Sequence, residues 1–555
     1  MSVLLDRFVP QQEFDSYEDF AQNFRLTVPE GFNFGYDVVD AWAAKEPDKR
    51  ALVWCDDRGE ECVFTFSDIA RLSNQAANWF TGHGVKQGSK VLLILRRRWE
   101  YWIAAVALHK LGVTVIPASL QLTAKDIAYR VSAAEVDMLV CVADTHLLEE
   151  TEKAGLTVPK AIVAGERDGW LPFDFTSQPD TLARVTTKNT DLMLMYFTSG
   201  TTGMPKMVMH DYTHPLGHIV TAHYWQRVAE NGLHMTVSDS GWAKFGWGKI
   251  YGQWICGTAI FAYDMDKFIA KNLLRRMQDY RLTSFCAPPT MYRFMLLEDL
   301  ESYDLSSIRQ CCNAGEPLNP EIYKQFYERT GLKLTEGFGQ SESSVLIANY
   351  PWFEPRPGSM GKPSPLYDID LIDADGNICE DGVEGEIVIR GVGRDNGLFR
   401  GYYRDSEYNA KVFRSGAYYT GDVAWRDDDG YYWFIGRNDD VIKCSGYRIG
   451  PFEVESALME HPAVLECAVT AVPDPVRGQV VKATVVLKPA FTGSDALVKE
   501  LQEHVKKTTA PYKYPRIVEY IDALPKTVNG KIRRAEIREK DMGLEKQSDG
   551  MRSGV

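Results

Sequence analysis

The stretch YFTSGTTGMPK, residues 196–206, decides how the rest of the chain is read. It sets three threonines, one serine and two glycines between an apolar run and a lysine, a composition that adds little to a core. Glycines let a backbone approach a phosphate, hydroxyls and amide N–H groups donate hydrogen bonds to it, and a lysine supplies charge. Ser199, Thr201, Thr202 and Lys206, spaced by Gly200 and Gly203, supply all three. The pattern is not GxxxxGK[ST], because Lys206 is followed by Met207, and the next residues, MVMH, alternate like a strand rather than opening a helix. A flexible loop without function has a similar composition, so other segments must decide.

Working outward, 555 residues with 45% hydrophobic content exceed one core and call for two or more domains. The balance of 62 basic against 76 acidic side chains, net −14, argues against non-specific binding to nucleic acid or anionic membrane. Ten cysteines without a CxxC pair or a regular framework fit a reduced compartment, and the adjacent Cys311 and Cys312 read as packing residues. The first residues, MSVLLDRFVPQQEFDSYEDF, hold too short an apolar run for a signal peptide and too many acids for a transit peptide. No segment approaches a membrane-spanning length. The expectation is a soluble cytoplasmic protein.

In the first third, helical and strand patterns alternate. Ser67 is the expected cap of a helix carrying Ile69, Leu72, Ala76 and Phe80, with Gly82 and Gly84 past its end. An apolar run at 91–95, an aromatic-rich helix at 99–111 and a second run at 113–117 complete a β-α-β order, which implies a largely parallel sheet covered by helices. Beyond about residue 385, GEIVIRG reads as a strand, and YYTGDVAWRDDDGYYWFIGR as two strands joined through Asp429-Gly430. A small α+β unit follows to about residue 540, with helices near 451–459 and over Leu497, Leu501 and Val505, and strands near 467–472 and 481–487. The domain boundary is expected at 437–440, and the polar tail from Met542 is expected to be disordered.

Six segments now fall in a recognisable order: TSGTTGMPK (198–206), AGEPLNPE (314–321), EGFGQSE (336–342), YTGD (419–422), GRNDDVIKCSGYRIGPFEVE (436–455) and PKTVNGK (525–531). Together they resemble the signature motifs of the adenylate-forming superfamily, and the resemblance covers residues 32–537. PEGFNFGYDVVDAW (29–42), IPASLQLTAKDIAYRV (116–131) and the glutamine of EGFGQSE resemble the medium-chain acyl-CoA synthetase branch. The resemblance implies an α/β fold: a large N-terminal domain (1–436) of layered α/β subdomains plus a β-barrel-like part, a hinge (437–440), and a small α+β C-terminal domain (441–541), leaving 542–555 as the tail.

The resemblance also implies a reaction in two halves, in which a carboxylate attacks the α-phosphate of ATP and coenzyme A then takes the acyl group. Thr198, Ser199, Gly200, Thr201, Thr202, Gly203 and Lys206 would hold the β and γ phosphates. Glu342 would help hold Mg²⁺, a hard cation suited to carboxylate oxygen. Such preorganised charge is worth roughly 3 kcal/mol for a single donor. Gly315, Glu316 and Pro317 would form one wall of the adenine site, with Gly337 and Phe338 opposite, and Glu336, Gly339, Gln340 and Ser341 would also contact the nucleotide. Asp422, read as lying in a turn, would accept from both ribose hydroxyls, and Arg437 would donate to the same sugar. Lys531 would bridge the carboxylate and the α-phosphate. Asp439 matches the hinge position, Gly446 the glycine of the pantetheine tunnel, and Ser445, Tyr447, Arg448 and Arg477 the contacts to coenzyme A, the arginines suiting its phosphates.

The acyl pocket would be lined by Trp242, Ala243, Lys244, Ala314 and Gly339. Acetate-specific members carry a tryptophan where this chain has Gly339, so the glycine implies room beyond two carbons. Lys244 either shortens the pocket, pairs with a polar group on the acid, or points to solvent. The leading reading is an AMP-forming acid–thiol ligase for a short- to medium-chain carboxylate, branched and aromatic acids included, with ATP, Mg²⁺ and coenzyme A and with self-association left open. The alternatives are an adenylating enzyme that loads a carrier protein and a silent nucleotide-binding regulator. An amino-acid substrate is disfavoured, because GWAK (241–244) offers a lysine where an ammonium group needs an aspartate. Retention of Lys206, Glu342, Asp422, Arg437, Gly446 and Lys531 disfavours the regulator.

Overall fold

The structure, a computed structural model, describes residues 4–198, 205–393, 396–445, 447–526 and 532–541. The helix expected near residue 67 spans Phe66–Gly82, and its cap is Thr65 rather than Ser67. The Thr65 hydroxyl accepts the Asp68 N–H at 3.1 Å while the Asp68 carboxylate accepts the Thr65 N–H at 3.1 Å. Ser67 has Ala70 three residues on, which cannot reciprocate, so the capping box forms one step earlier. The apolar runs become the parallel strands Lys90–Ile94 and Thr114–Pro117, joined by the helix Glu100–Lys110. That helix is buried along its whole length, including Lys110, whose ammonium donates to Asp40 at 2.6 Å and to Asn74 at 2.7 Å.

Those two strands lie inside a seven-stranded sheet that ends with Leu192–Thr198 and its antiparallel partner Lys206–Asp211. A second, larger sheet begins at Glu61–Thr65 and runs through six parallel strands to Leu334–Phe338. It then continues into antiparallel strands, among them Ser359–Pro363, Tyr432–Arg437, Ala417–Arg426 and Gly385–Arg390, the part expected to be barrel-like. Gly430, at φ +81°, makes the expected turn between Ala417–Arg426 and Tyr432–Arg437. Asp422 is therefore within a strand, not a turn: it pairs with Arg437 across the ladder, and only Gly421 before it takes a positive φ, of 76°. Cys311 and Cys312 are buried in the strand Gln310–Asn313, and all ten cysteines are free.

The C-terminal sheet pairs Val464–Asp474 with Gly478–Leu487 and is covered by the helices Pro451–Met459 and Asp495–Thr508. Leu497, Leu501 and Val505 face its core, as their spacing predicts. This unit rests on the larger body through Asn319, which donates to the Ser456 carbonyl at 3.4 Å, and through the ion pair Arg448–Glu384 at 3.5 Å. The tail from residue 542 lies outside the described residues.

Candidate active site

The two ends of the stretch 196–206 are paired strands. Tyr196, Phe197 and Thr198 pair with Val208, Met207 and Lys206, so Thr198 and Lys206 stand opposite each other at the mouth of the loop. Ser199, Gly200, Thr201, Thr202 and Gly203 fall outside the described residues. The Lys206 ammonium stands 3.0 Å from the centre of the Tyr408 ring and 5.6 Å from that of Tyr402. The Tyr402 hydroxyl donates to Glu342 at 2.7 Å. Glu342 is 9% exposed, and burial raises its pKa against the opposing effect of that hydroxyl and of Arg437. The sequence reading missed both tyrosines. The run GYYRDSEY, 401–408, holds them at no spacing that announces a site.

Next to Glu342, Gln340 links the ribose candidates. Its amide donates to Asp422 at 2.5 Å and to the Thr420 carbonyl at 2.9 Å, while its own carbonyl accepts from Tyr418 at 2.7 Å. Asp422 is buried and lies 3.6 Å from Arg437, which lies 3.7 Å from Asp439. Burial works against the Arg437 charge, but Asp422 and Asp439 outweigh it and hold the guanidinium protonated. Ser341 gives its carbonyl to His210 Nε2 at 2.7 Å, which makes that nitrogen the N–H of a buried histidine whose pKa burial drives well down.

The proposed adenine walls are set by close packing. Gly315, exposed at φ +98°, has open space above it, and the Glu316 carboxylate accepts from Thr290 at 2.9 Å. Pro317 follows half-buried. A Cβ on Gly337 would stand 2.4 Å from the Trp225 ring, and Phe338 lies 5.9 Å from Phe434. Glu336 is buried with the Leu318 N–H as donor at 3.3 Å, and burial pushes its pKa up to about 8. Its folded pKa exceeds the ordinary value of 4.5, so the stability it allows is complete below pH 4.5 and declines as pH rises toward about 8. Glu336→Gln is expected to remove that decline, read as a smaller fall in urea midpoint between pH 5 and 8.5 than in the parent chain.

Phe197, Gly241, Trp242, Arg130, Lys526 and Arg533 line one cleft of about 400 Å³. In sequence, Lys526 and Arg533 stand on either side of 527–531, and those five residues, Lys531 among them, lie outside the described residues. Behind the cleft, the partly buried Lys244 donates to the Ala314 carbonyl at 2.7 Å, and burial lowers its pKa. Of the three fates open to this side chain, pointing to solvent is ruled out. Ala243 packs against the main core. Gly339 leaves no open space: a Cβ there would stand 2.4 Å from the Trp247 ring and 2.8 Å from the Ser344 carbonyl. Against the Cβ direction of this glycine lies the Trp247 ring, which sequence reading did not single out.

The coenzyme A candidates stand apart. The Ser445 hydroxyl accepts from Arg477 at 3.4 Å, Tyr447 stacks on Tyr512 at 4.1 Å, and Arg448 is paired with Glu384. None of the four lines the cleft, and Gly446 lies outside the described residues.

Comparison with known proteins fits this geometry. A model of the AMP-binding enzyme family matches residues 39–403, and one of the AMP-binding enzyme C-terminal domain matches 453–531. The chain belongs to the AMP-binding enzyme family. Human acyl-coenzyme A synthetase ACSM3, mitochondrial, is 41% identical over 554 residues, spanning 97% of this chain and 94% of that protein. The rat protein ACSM4, also mitochondrial, is 42% identical over 533 residues, spanning 93% and 92%. Among solved structures, the anthranilate CoA ligase AuaEII in complex with anthranoyl-AMP superposes with TM-score 0.85 at 28% identity, covering 93% of this chain and 98% of that one. A benzoate CoA ligase from Burkholderia xenovorans gives 0.81 at 25% identity, covering 91% and 100%.

As an AMP-binding enzyme, the chain has the expected fold, and the expectation of an AMP-forming acid–thiol ligase that uses ATP and coenzyme A stands. The expectation of a cytoplasmic location is corrected: the curated relatives are mitochondrial and point to that compartment instead. A chain without a disulfide framework fits any reducing compartment, and more than one provides it. Among the described residues no helix is long and apolar enough to cross a membrane.

Proposed function

We propose that this chain activates a short- to medium-chain monocarboxylate, branched or aromatic acids included, in the cleft lined by Trp242, Lys526 and Arg533. The observation that carries the reading is that cleft, where Lys526 and Arg533 face Phe197 and Trp242 beside the hairpin mouth. Thr198, Lys206 and the loop 199–203 hold the β and γ phosphates, and Asp422 with Arg437 holds the ribose. Lys531 draws the carboxylate to the α-phosphate. The carboxylate oxygen bonds to phosphorus as the bond to the pyrophosphate oxygen breaks, leaving acyl-adenylate.

Magnesium fits the residues present. Glu342 is a buried carboxylate with one hydroxyl donor, and among the described residues no three potential ligands cluster. A single carboxylate with phosphate oxygens and water suits Mg²⁺. When bound, the ion neutralises phosphate charge.

For the second half-reaction, the unit 441–541 turns about Asp439, bringing Gly446 and the coenzyme A contacts Ser445, Tyr447, Arg448 and Arg477 to the cleft. The thiol sulfur then bonds to the acyl carbon, AMP leaves, and the thiol proton passes to solvent. The separation of these four residues from the cleft supports an arrangement suited to adenylation. Gly446→Leu is expected to leave adenylate formation within about twofold and to reduce thioester formation by about a hundredfold, measured as separate half-reactions; equal loss of both would remove the tunnel role. Net −14 supports a reading without nucleic acid or membrane partners, and self-association is compatible with it.

The test is pyrophosphate and AMP release from ATP·Mg²⁺ with acetate, isobutyrate, hexanoate and benzoate, with and without coenzyme A. Sustained AMP turnover only with coenzyme A supports the ligase. Pyrophosphate release that coenzyme A does not change identifies another acceptor, such as a carrier protein.

A further inference from the structure

The segment 399–409 belongs to none of the six motifs, yet it touches both charges on which phosphate binding rests. Its backbone is stitched to the hairpin strand: Met209 N–H donates to Gly401 O at 3.0 Å, Arg400 N–H to Met209 O at 2.8 Å, and Tyr403 N–H to Met207 O at 2.8 Å. At its start, Phe399 N–H donates to the Glu342 carbonyl at 2.8 Å. Tyr402 is gripped on both sides by Asn409, whose side-chain carbonyl accepts the Tyr402 N–H at 2.8 Å and whose amide donates to the Tyr402 carbonyl at 2.8 Å. Tyr408 opens the helix Ser406–Val412, its N–H held at 3.0 Å by the capping Asp405. The two rings lie 5.1 Å apart, tilted by 67°. Gly401, at φ +104°, permits the turn into Asn409, whose side-chain oxygen would stand 3.0 Å from an added Cβ.

We infer that Tyr402 and Tyr408 are positioning residues for the nucleotide triphosphate. Tyr402 orients the Glu342 carboxylate through its hydroxyl, and the Tyr408 ring, with the face of Tyr402 behind it, fixes the Lys206 ammonium. This rests on the reading of Lys206 as the phosphate lysine and Glu342 as the magnesium carboxylate. A free lysine side chain carries large rotamer entropy that binding must remove. An ammonium lying on one aromatic face has already surrendered much of it, and its remaining N–H groups stay available to an anion on the other side. The hydroxyl at 2.7 Å from one carboxylate oxygen leaves the other oxygen for a cation. Built into one segment, the two tyrosines set the spacing between a cation and a carboxylate that lie 136 positions apart in sequence.

The two roles separate by variant. ATP binding to the full chain, with and without Mg²⁺, is measured by calorimetry, beside KM for ATP and kcat for pyrophosphate release. Tyr408→Leu is expected to weaken ATP binding about tenfold in both conditions and to raise KM with little change in kcat, while Tyr408→Phe, which keeps the ring, stays within about twofold of the parent. Tyr402→Phe keeps its ring and is expected to leave metal-free ATP binding unchanged while reducing the gain from Mg²⁺ about tenfold. Equal effects of Phe and Leu at 408, tighter binding by Tyr408→Leu, or a Tyr402→Phe loss independent of Mg²⁺ would overturn the inference. Lys206→Ala and Glu342→Gln serve as references. If those two variants bind ATP·Mg²⁺ as the parent does, the assignment of the charges themselves has failed; if they lose binding while the tyrosine variants do not, only the positioning role has.

Discussion

Lys531→Ala is expected to slow pyrophosphate release by about two to three orders of magnitude while leaving conversion of supplied acyl-adenylate to thioester within about threefold. Two anions must meet in adenylation, the carboxylate and the α-phosphate, and a cation between them offsets their repulsion where little water remains to do so. Lys526 and Arg533 also line the cleft, but each is engaged elsewhere, Lys526 with Glu466 at 2.6 Å and Arg533 with Glu536 at 2.7 Å. Neither is placed to substitute. The thioester step begins from a neutral mixed anhydride carbonyl and, on the proposed turn about Asp439, meets Gly446 and its neighbours instead of Lys531, so it should not feel the loss. The two rates are read separately, from pyrophosphate release without coenzyme A and from thioester formation with synthetic adenylate. Equal loss in both would remove the division of labour assigned to Lys531.

The second large effect concerns length of the acid. Trp247 is buried, its N–H donates to the Ser343 carbonyl at 3.1 Å, and its ring fills the space above Gly339. Replacing it by leucine keeps an apolar contact and vacates roughly half an indole. The preference for hexanoate over isobutyrate, as a ratio of kcat/KM, is expected to rise by about one to two orders of magnitude, since each methylene accommodated is worth about tenfold or more. Uniform loss for both acids, with a lower melting temperature, would mean that the ring supports the fold without measuring the substrate.

Many of the candidate residues could be named before the structure because they sit in short contiguous runs of sequence. Residues that are neighbours in sequence can present several atoms to one place, and composition reveals such runs. Gln340, Asp422 and Arg437 belong to this class. The helix Phe66–Gly82 was also legible, although Ser67 seemed the natural cap until the reciprocal Asp68 decided for Thr65. What stayed hidden is what depends on meeting across the fold. Trp247 and Gly339 are 92 positions apart and touch only when strands of the larger sheet that are distant in sequence are brought together. A glycine in a motif reads as space, and the residue that fills the space has no reason to be nearby in sequence. Lys244 was ambiguous for the same reason: its partner is the carbonyl of Ala314, and backbone acceptors carry no sequence signature. The location failed on different grounds, since burial and free thiols describe a folded chain without saying where it resides.

The strand Lys206–Asp211 ends its sheet, and a sheet's last strand ordinarily presents unpaired backbone groups to any other extended chain. Here residues 400–403, from the connection between two strands of the larger sheet, answer those groups. The consequence is for self-adhesion during synthesis. The edge exists as soon as residue 211 has been made, and its cover arrives about 190 residues later, so for that interval the nascent chain carries an apolar, open edge. Substitutions that delay docking of this cover, such as Gly401→Val, should reveal themselves as insoluble protein at the time of expression, well before any purified molecule could be assayed.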